Sequence, residues 1–221
     1  MLVVSFFVGT TITLTLTIFT KDKESPFQIL ARTWAKFLCY FSGVKITFSG
    51  LENLPKYKAV ILAANHQGAA DILLVLAYIP VNFRFAIKKE LFDIPIFGWY
   101  LRKAGYFPID RKLILSAYRT VENIIEFVKK GSSVLIFPEG TRTKTGELGK
   151  FRRGSLLAAL KSGAPIIPIA ISGSFNIMPR GTWLIHPCPV KLSIGQPIYI
   201  NDEDAYDGKV AEVRSAIAEM L

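Results

Sequence analysis

A chain of 221 residues has room for one domain with a sizeable core and none for two of full size. Its 27 Lys and Arg against 17 Asp and Glu leave a net charge of +10, which calls for an anionic partner; without a basic low-complexity tail, zinc-finger spacing or an aromatic single-strand platform, no nucleic acid is expected and an anionic lipid surface is favoured. Cys39 and Cys188 give no disulfide framework, which fits a reducing compartment, and the 51% hydrophobic content, concentrated in the first ~40 residues, points to a membrane contact.

In chain order, Leu2 to Thr20 carries no charge over 19 residues, close to the ~20 needed to cross hydrocarbon, and its six threonines can return their hydroxyls to a helix backbone. The competing reading, a secretory signal, lacks a basic residue before the apolar run and a small-residue cleavage site before Lys21. Ser25 and Pro26 then read as the N-cap and first residue of an amphipathic helix. Gln28, Arg32 and Lys36 recur every four residues on one side, while Phe27, Leu30, Trp34, Phe37, Leu38 and Phe41 fill the rest. A soluble core helix carries the same pattern, but a basic polar stripe with Trp and Phe on the apolar face suits a helix lying in the headgroup layer. The expected organisation is a membrane-associated helical pair over 1–42 and a catalytic domain over 43–221. Basic residues after the first helix place that body on the cytoplasmic side of the membrane.

From Val44 onward short apolar strands alternate with helical stretches. The patterning predicts strands at Val44–Phe48, Ala59–Ala64, Phe83–Ile87, Val134–Phe137, Ile166–Ile171 and Val190–Ile194, and helices at Ala69–Tyr78, Ile96–Lys103, Lys112–Lys130, Gly154–Lys161 and Lys209–Met220. This is an α/β fold, a mixed and mostly parallel sheet flanked by helices. Polar clusters follow the strands, where open α/β sheets gather their ligands.

The run Ala59–Ala64 leads into Asn65-His66-Gln67-Gly68-Ala69-Ala70-Asp71. On one continuous helix, residues five apart point about 140° away from each other, so His66 and Asp71 can meet only if His66 precedes the helix and Asp71 closes its first turn, with Gly68 allowing the bend. The carboxylate can then accept from the imidazole and fix its tautomer, giving a base and its orienter. No Gly-x-Ser-x-Gly occurs and neither cysteine has a base beside it in sequence, so a base without a protein nucleophile fits direct attack by a substrate hydroxyl. With His66 and His186 the only histidines and no His-Glu-x-x-His, no metal site is expected, and His186 reads as structural.

Phe137-Pro138-Glu139-Gly140-Thr141-Arg142 follows another strand, and Phe151-Arg152-Arg153-Gly154 comes soon after. Exposed backbone N–H groups at Gly140, the Thr141 hydroxyl and the Arg142 guanidinium can jointly hold a phosphate, although the loop is not a Walker A. Arg152 and Arg153 are additional candidates for phosphate or carrier contacts.

Together these blocks resemble the 1-acylglycerol-3-phosphate acyltransferase family, known in bacteria as the PlsC type. Asn65, His66 and Asp71 match its first motif, Phe107 and Arg111 its second, Phe137–Arg142 its third, and Pro165-Ile166-Ile167-Pro168 its fourth. The resemblance covers about Val44 to Ile200. It implies that His66 deprotonates the acceptor hydroxyl, that Asp71 orients it, and that Arg111, Glu139, Gly140, Thr141 and Arg142 hold the acceptor phosphate and glycerol. It further implies acyl transfer from acyl-CoA or acyl-carrier protein to the sn-2 hydroxyl of lysophosphatidic acid, without a cofactor, giving phosphatidic acid for phospholipid synthesis. One departure is Gly68, where many members have Ser. The rival readings are an acyltransferase for glycerol 3-phosphate or another lysophospholipid, and a non-catalytic anionic-lipid binding protein.

Overall fold

The computed structural model describes residues 25–54, 59–110, 114–152, 154–178 and 184–221. The apolar run Leu2 to Thr20, and with it the first helix of the expected membrane pair, lies outside these residues, as do Arg111 and Arg153. Seven strands form one sheet: β1 (Ile46–Ser49), β2 (Ile61–Ala64), β3 (Phe83–Lys88), β4 (Phe107–Ile109), β5 (Ser133–Ile136), β6 (Ile166–Ser172) and β7 (Val190–Ile194). Their order is β1-β7-β6-β2-β5-β3-β4, and every neighbouring pair is parallel except β6 with β7. The mixed, mostly parallel sheet expected from the alternating pattern is therefore present. β4 was not among the expected strands: it is a three-residue edge strand with Pro108 at its centre, too short to show an alternation.

Among the described residues six α-helices cover the sheet: α1 (Ser25–Phe41), α2 (Asp71–Tyr78), α3 (Phe97–Lys103), α4 (Ile114–Lys129), α5 (Leu157–Ser162) and α6 (Tyr206–Met220). The four residues of β2 are all buried, because a parallel central strand is covered on both faces. Its side chains alternate between two cores. Leu62 and Ala64 join residues of α1, α2 and α3, whereas Ile61 and Ala63 join residues of α4, α5 and α6. The result is a three-layer α/β/α arrangement.

The place of α1 differs from a helix whose polar stripe faces lipid headgroups. Gln28 is buried and its amide donates to the Ala104 carbonyl at 3.1 Å, and Arg32 donates to the Val81 carbonyl at 2.8 Å. Phe27, Ala35 and Cys39 enter the core, with Phe27 edge-on to Trp99 and Tyr100. Two of the three stripe residues thus turn inward, while Ile29, Thr33, Lys36, Tyr40 and Phe41 are exposed. Phe27, Ala35 and Cys39 of α1 belong to the same hydrophobic core as β2, with Leu30 and Ala31 packed against it.

Candidate active site

Because β6, β2, β5 and β3 are adjacent and parallel, their C-terminal ends deliver four loops to one edge of the sheet. The loop after β2 carries Asn65, His66 and Gly68. Asn65 continues the ladder where the strand stops: its amide donates to the Ile171 carbonyl at 2.9 Å and its carbonyl accepts from the Ile171 N–H at 2.7 Å. This side chain acts as one more peptide unit and fixes the exit direction of the next residue.

His66 is buried, and its ring stacks on Phe137 with centroids 4.0 Å apart. Its Nδ1 lies 2.7 Å from Asp71 Oδ2. A carboxylate can only accept, which places the proton on Nδ1 and leaves Nε2 as the basic nitrogen. Asp71 is fully buried and is the first residue of α2, so His66 does precede the helix. The carboxylate also receives the Gly68 N–H at 2.9 Å on Oδ2 and the Ser174 hydroxyl at 2.5 Å on Oδ1. The chain bends at Gly68 as expected, but its φ is not positive, so the bend alone does not demand glycine. The glycine permits a close approach, because a Cβ there would stand 2.8 Å from the Ser174 carbonyl oxygen.

The loop after β5 wraps around the histidine. Glu139, buried, accepts the His66 N–H at 2.8 Å on one oxygen and the Gly149 N–H at 2.8 Å on the other. The Thr143 N–H donates to the His66 carbonyl at 2.9 Å, and the Gln67 amide donates to the Gly146 carbonyl at 2.9 Å. From the far side, the Arg214 guanidinium of α6 donates to the carbonyls of Leu148 and Gly149, each at 3.2 Å. Glu139 was expected to hold acceptor, yet both its oxygens face backbone N–H groups and bind the loop to His66. Gly140 adopts φ 69, and the Arg152 side chain crosses it where a Cβ would clash. Thr141, Arg142 and Arg152 are exposed around this turn.

An apolar cavity of about 780 Å³ begins at the histidine. His66, Ala69, Leu73 and Leu76 line one side, Leu30, Trp34 and Leu38 of α1 another, and Phe85, Tyr100 and Tyr106 the rest. Lys88, Leu91, Phe97 and Arg142 also line it and are exposed, which marks its opening. The volume is within the ~300–1,000 Å³ range of small-molecule sites. A buried histidine on the wall of an apolar slot, with two exposed cations also lining it, can accommodate a substrate having an anionic head and a long apolar chain.

The model of a family described as Acyltransferase matches residues 45–172, more than half of the chain. The chain belongs to this acyltransferase family. Among its relatives, a chloroplastic 1-acyl-sn-glycerol-3-phosphate acyltransferase of Brassica napus is 34% identical over 206 residues, 92% of this chain and 58% of that protein. The 1-acyl-sn-glycerol-3-phosphate acyltransferase of Pseudomonas aeruginosa is 31% identical over 187 residues, 81% of this chain and 71% of that protein. The chain spans 58% and 54% of the Brassica napus and Arabidopsis thaliana plastid relatives that it matches. The crystal structure of the 1-acyl-sn-glycerophosphate acyltransferase PlsC from Thermotoga maritima is similar at a TM-score of 0.80 and 28% identity, over 99% of this chain and 94% of that one.

Of the residues expected at an acyltransferase site, His66, Asp71, Glu139, Gly140, Thr141, Arg142 and Arg152 fall on the two segments that follow the neighbouring strands β2 and β5, with Asp71 at the start of α2. Reading the sequence alone missed Lys88 and Ser174. A lysine closing a strand was a usable signal for the first, but nothing in the local pattern marks a serine 103 residues from its carboxylate partner.

Proposed function

We propose that the protein transfers a fatty acyl group from acyl-CoA or acyl-carrier protein to the sn-2 hydroxyl of lysophosphatidic acid. The observation that carries the proposal is the hydrogen-bonded His66–Asp71 pair, with His66 lining the apolar cavity that Lys88 and Arg142 also line. His66 Nε2 takes the hydroxyl proton as the oxygen attacks the thioester carbonyl. The tetrahedral adduct collapses, the C–S bond breaks, and the imidazolium returns its proton to the departing thiolate. Asp71 keeps the Nδ1 proton in place throughout, and no cofactor takes part. Arg142 and Lys88 pair with the acceptor phosphate, and Gly140 and Thr141 border that position.

Association with the cytoplasmic face of a membrane accompanies this reading. Leu91 and Phe97 line the cavity and are exposed, as are Ile94 and Ile96 between them in sequence, and Tyr40 and Phe41 at the end of α1 are exposed too. A lipid acceptor could then slide from the bilayer into the site without crossing water. No helix among the described residues is long and apolar enough to span a membrane.

The test is release of free thiol from acyl-CoA by the purified chain, with and without lysophosphatidic acid, and with glycerol 3-phosphate as the rival acceptor. Thiol release that requires lysophosphatidic acid and matches phosphatidic acid formed mole for mole supports the proposal. Release that ignores the acceptor, or that prefers glycerol 3-phosphate, overturns it.

A further inference from the structure

The Asp71 carboxylate has an oxygen that the histidine does not use. Oδ2 takes the His66 and Gly68 N–H groups, while Oδ1 takes the Ser174 hydroxyl at 2.5 Å, and both Ser174 and Asp71 are 0% exposed. The same hydroxyl oxygen lies 3.2 Å from Gln67 Oε1. With a single proton to donate, it serves the shorter contact to the charged acceptor.

Backbone contacts on two sides set this serine. It opens the short turn after β6, and the preceding Gly173 adopts φ 89 so close to the Pro189 carbonyl that no Cβ would fit. Cys188 Sγ donates to the Gly173 carbonyl at 3.3 Å. On the other side, Gly68 lies beneath the Ser174 carbonyl, where a Cβ would come within 2.8 Å. Loops from β2 and β6 and the approach to β7 therefore hold the hydroxyl against Asp71, and two glycines make the approach possible.

We propose that Ser174 is a positioning residue of the acyl transfer. The terminal torsion of an aspartate is broad, so donors on one oxygen alone leave the carboxylate plane free to swing. A donor on Oδ1 from a fixed backbone stops that swing and keeps Oδ2 aligned with His66 Nδ1–H, which in turn aims Nε2 into the cavity. The proposal rests on the reading of His66 as the base.

The experiment uses the full chain with Ser174→Ala, Ser174→Cys and Ser174→Thr, and records thermal melts, kcat, KM for lysophosphatidic acid and for acyl-CoA, and the downfield proton resonance of His66 Nδ1–H. Loss of one hydrogen bond to a buried charge predicts a fall in kcat of about 10- to 100-fold for Ser174→Ala, with both KM values within about twofold and the resonance moved or lost. Turnover should rank Ser and Thr above Cys, a weaker donor, and Cys above Ala. That ranking also decides the matter should alanine fail to fold. A folded Ser174→Ala enzyme with kcat within about twofold of wild type and an unmoved resonance overturns the proposal. So does a loss of turnover that only follows a loss of folded protein, or a folded Thr variant as slow as Ala. His66→Ala separates the two levels: substantial turnover without His66 removes the underlying reading, whereas an inactive His66→Ala beside an unimpaired Ser174→Ala removes only the role of Ser174.

Discussion

Glu139→Gln separates a residue that braces the histidine from one that touches the acceptor. In the folded chain, the two carboxylate oxygens of Glu139 each accept a backbone N–H at 2.8 Å, one from His66 and one from Gly149. Glutamine retains one acceptor oxygen but turns its NH₂ toward the other N–H, so one hydrogen bond to a charged acceptor is replaced by two facing donors. Losing such a bond costs about 1.5–3 kcal/mol. For a chain of this length 1 kcal/mol moves the melting midpoint by about 2–4 °C, so the midpoint should drop by about 3–12 °C. Turnover should fall with it, because the His66 backbone is what shifts, while KM for lysophosphatidic acid changes little. Differential scanning fluorimetry beside steady-state kinetics checks both. An unchanged midpoint together with a KM for lysophosphatidic acid raised tenfold or more would refute the reasoning and place the carboxylate on the acceptor.

Arg142→Ala should raise KM for lysophosphatidic acid far more than KM for the acyl donor, and equal effects would make the arginine structural. A third expectation concerns alkaline stability. Burial pushes the Tyr106 phenol up to about 12 from an ordinary 10.0, partly opposed by the positive charges of Arg84 and Arg32. Above pH 10 the unfolded chain therefore releases this proton first, so the group's contribution is whole below about 10 and is lost as pH rises through about 12. The urea midpoint should fall less steeply across that window in Tyr106→Phe than in wild type.

The His66–Asp71 pair was legible because its constraint is local. A five-residue spacing that no continuous helix tolerates, placed after a fully apolar strand, forces a loop before Asp71, and α2 begins at that residue. The alternation of apolar runs likewise carried the sheet, apart from β4. What stayed hidden depends on partners distant in sequence. Asn65 finds Ile171 across 106 residues and Glu139 finds His66 across 73, and no periodicity encodes either. Gly68 was read for its backbone freedom when a neighbouring carbonyl is what excludes its side chain. In α1 the spacing gave the stripe of Gln28, Arg32 and Lys36 correctly, but a helical wheel does not say what surface a stripe meets. Gln28 and Arg32 satisfy carbonyls at Ala104 and Val81 instead of headgroups.

The central claim is that His66 is the proton acceptor, and His66→Ala tests it most directly. Turnover of acyl-CoA with lysophosphatidic acid should fall by at least ~10³-fold, within or beyond the general-base range, while the melting midpoint stays near that of wild type. A folded His66→Ala protein that keeps more than about a tenth of wild-type turnover would contradict the account.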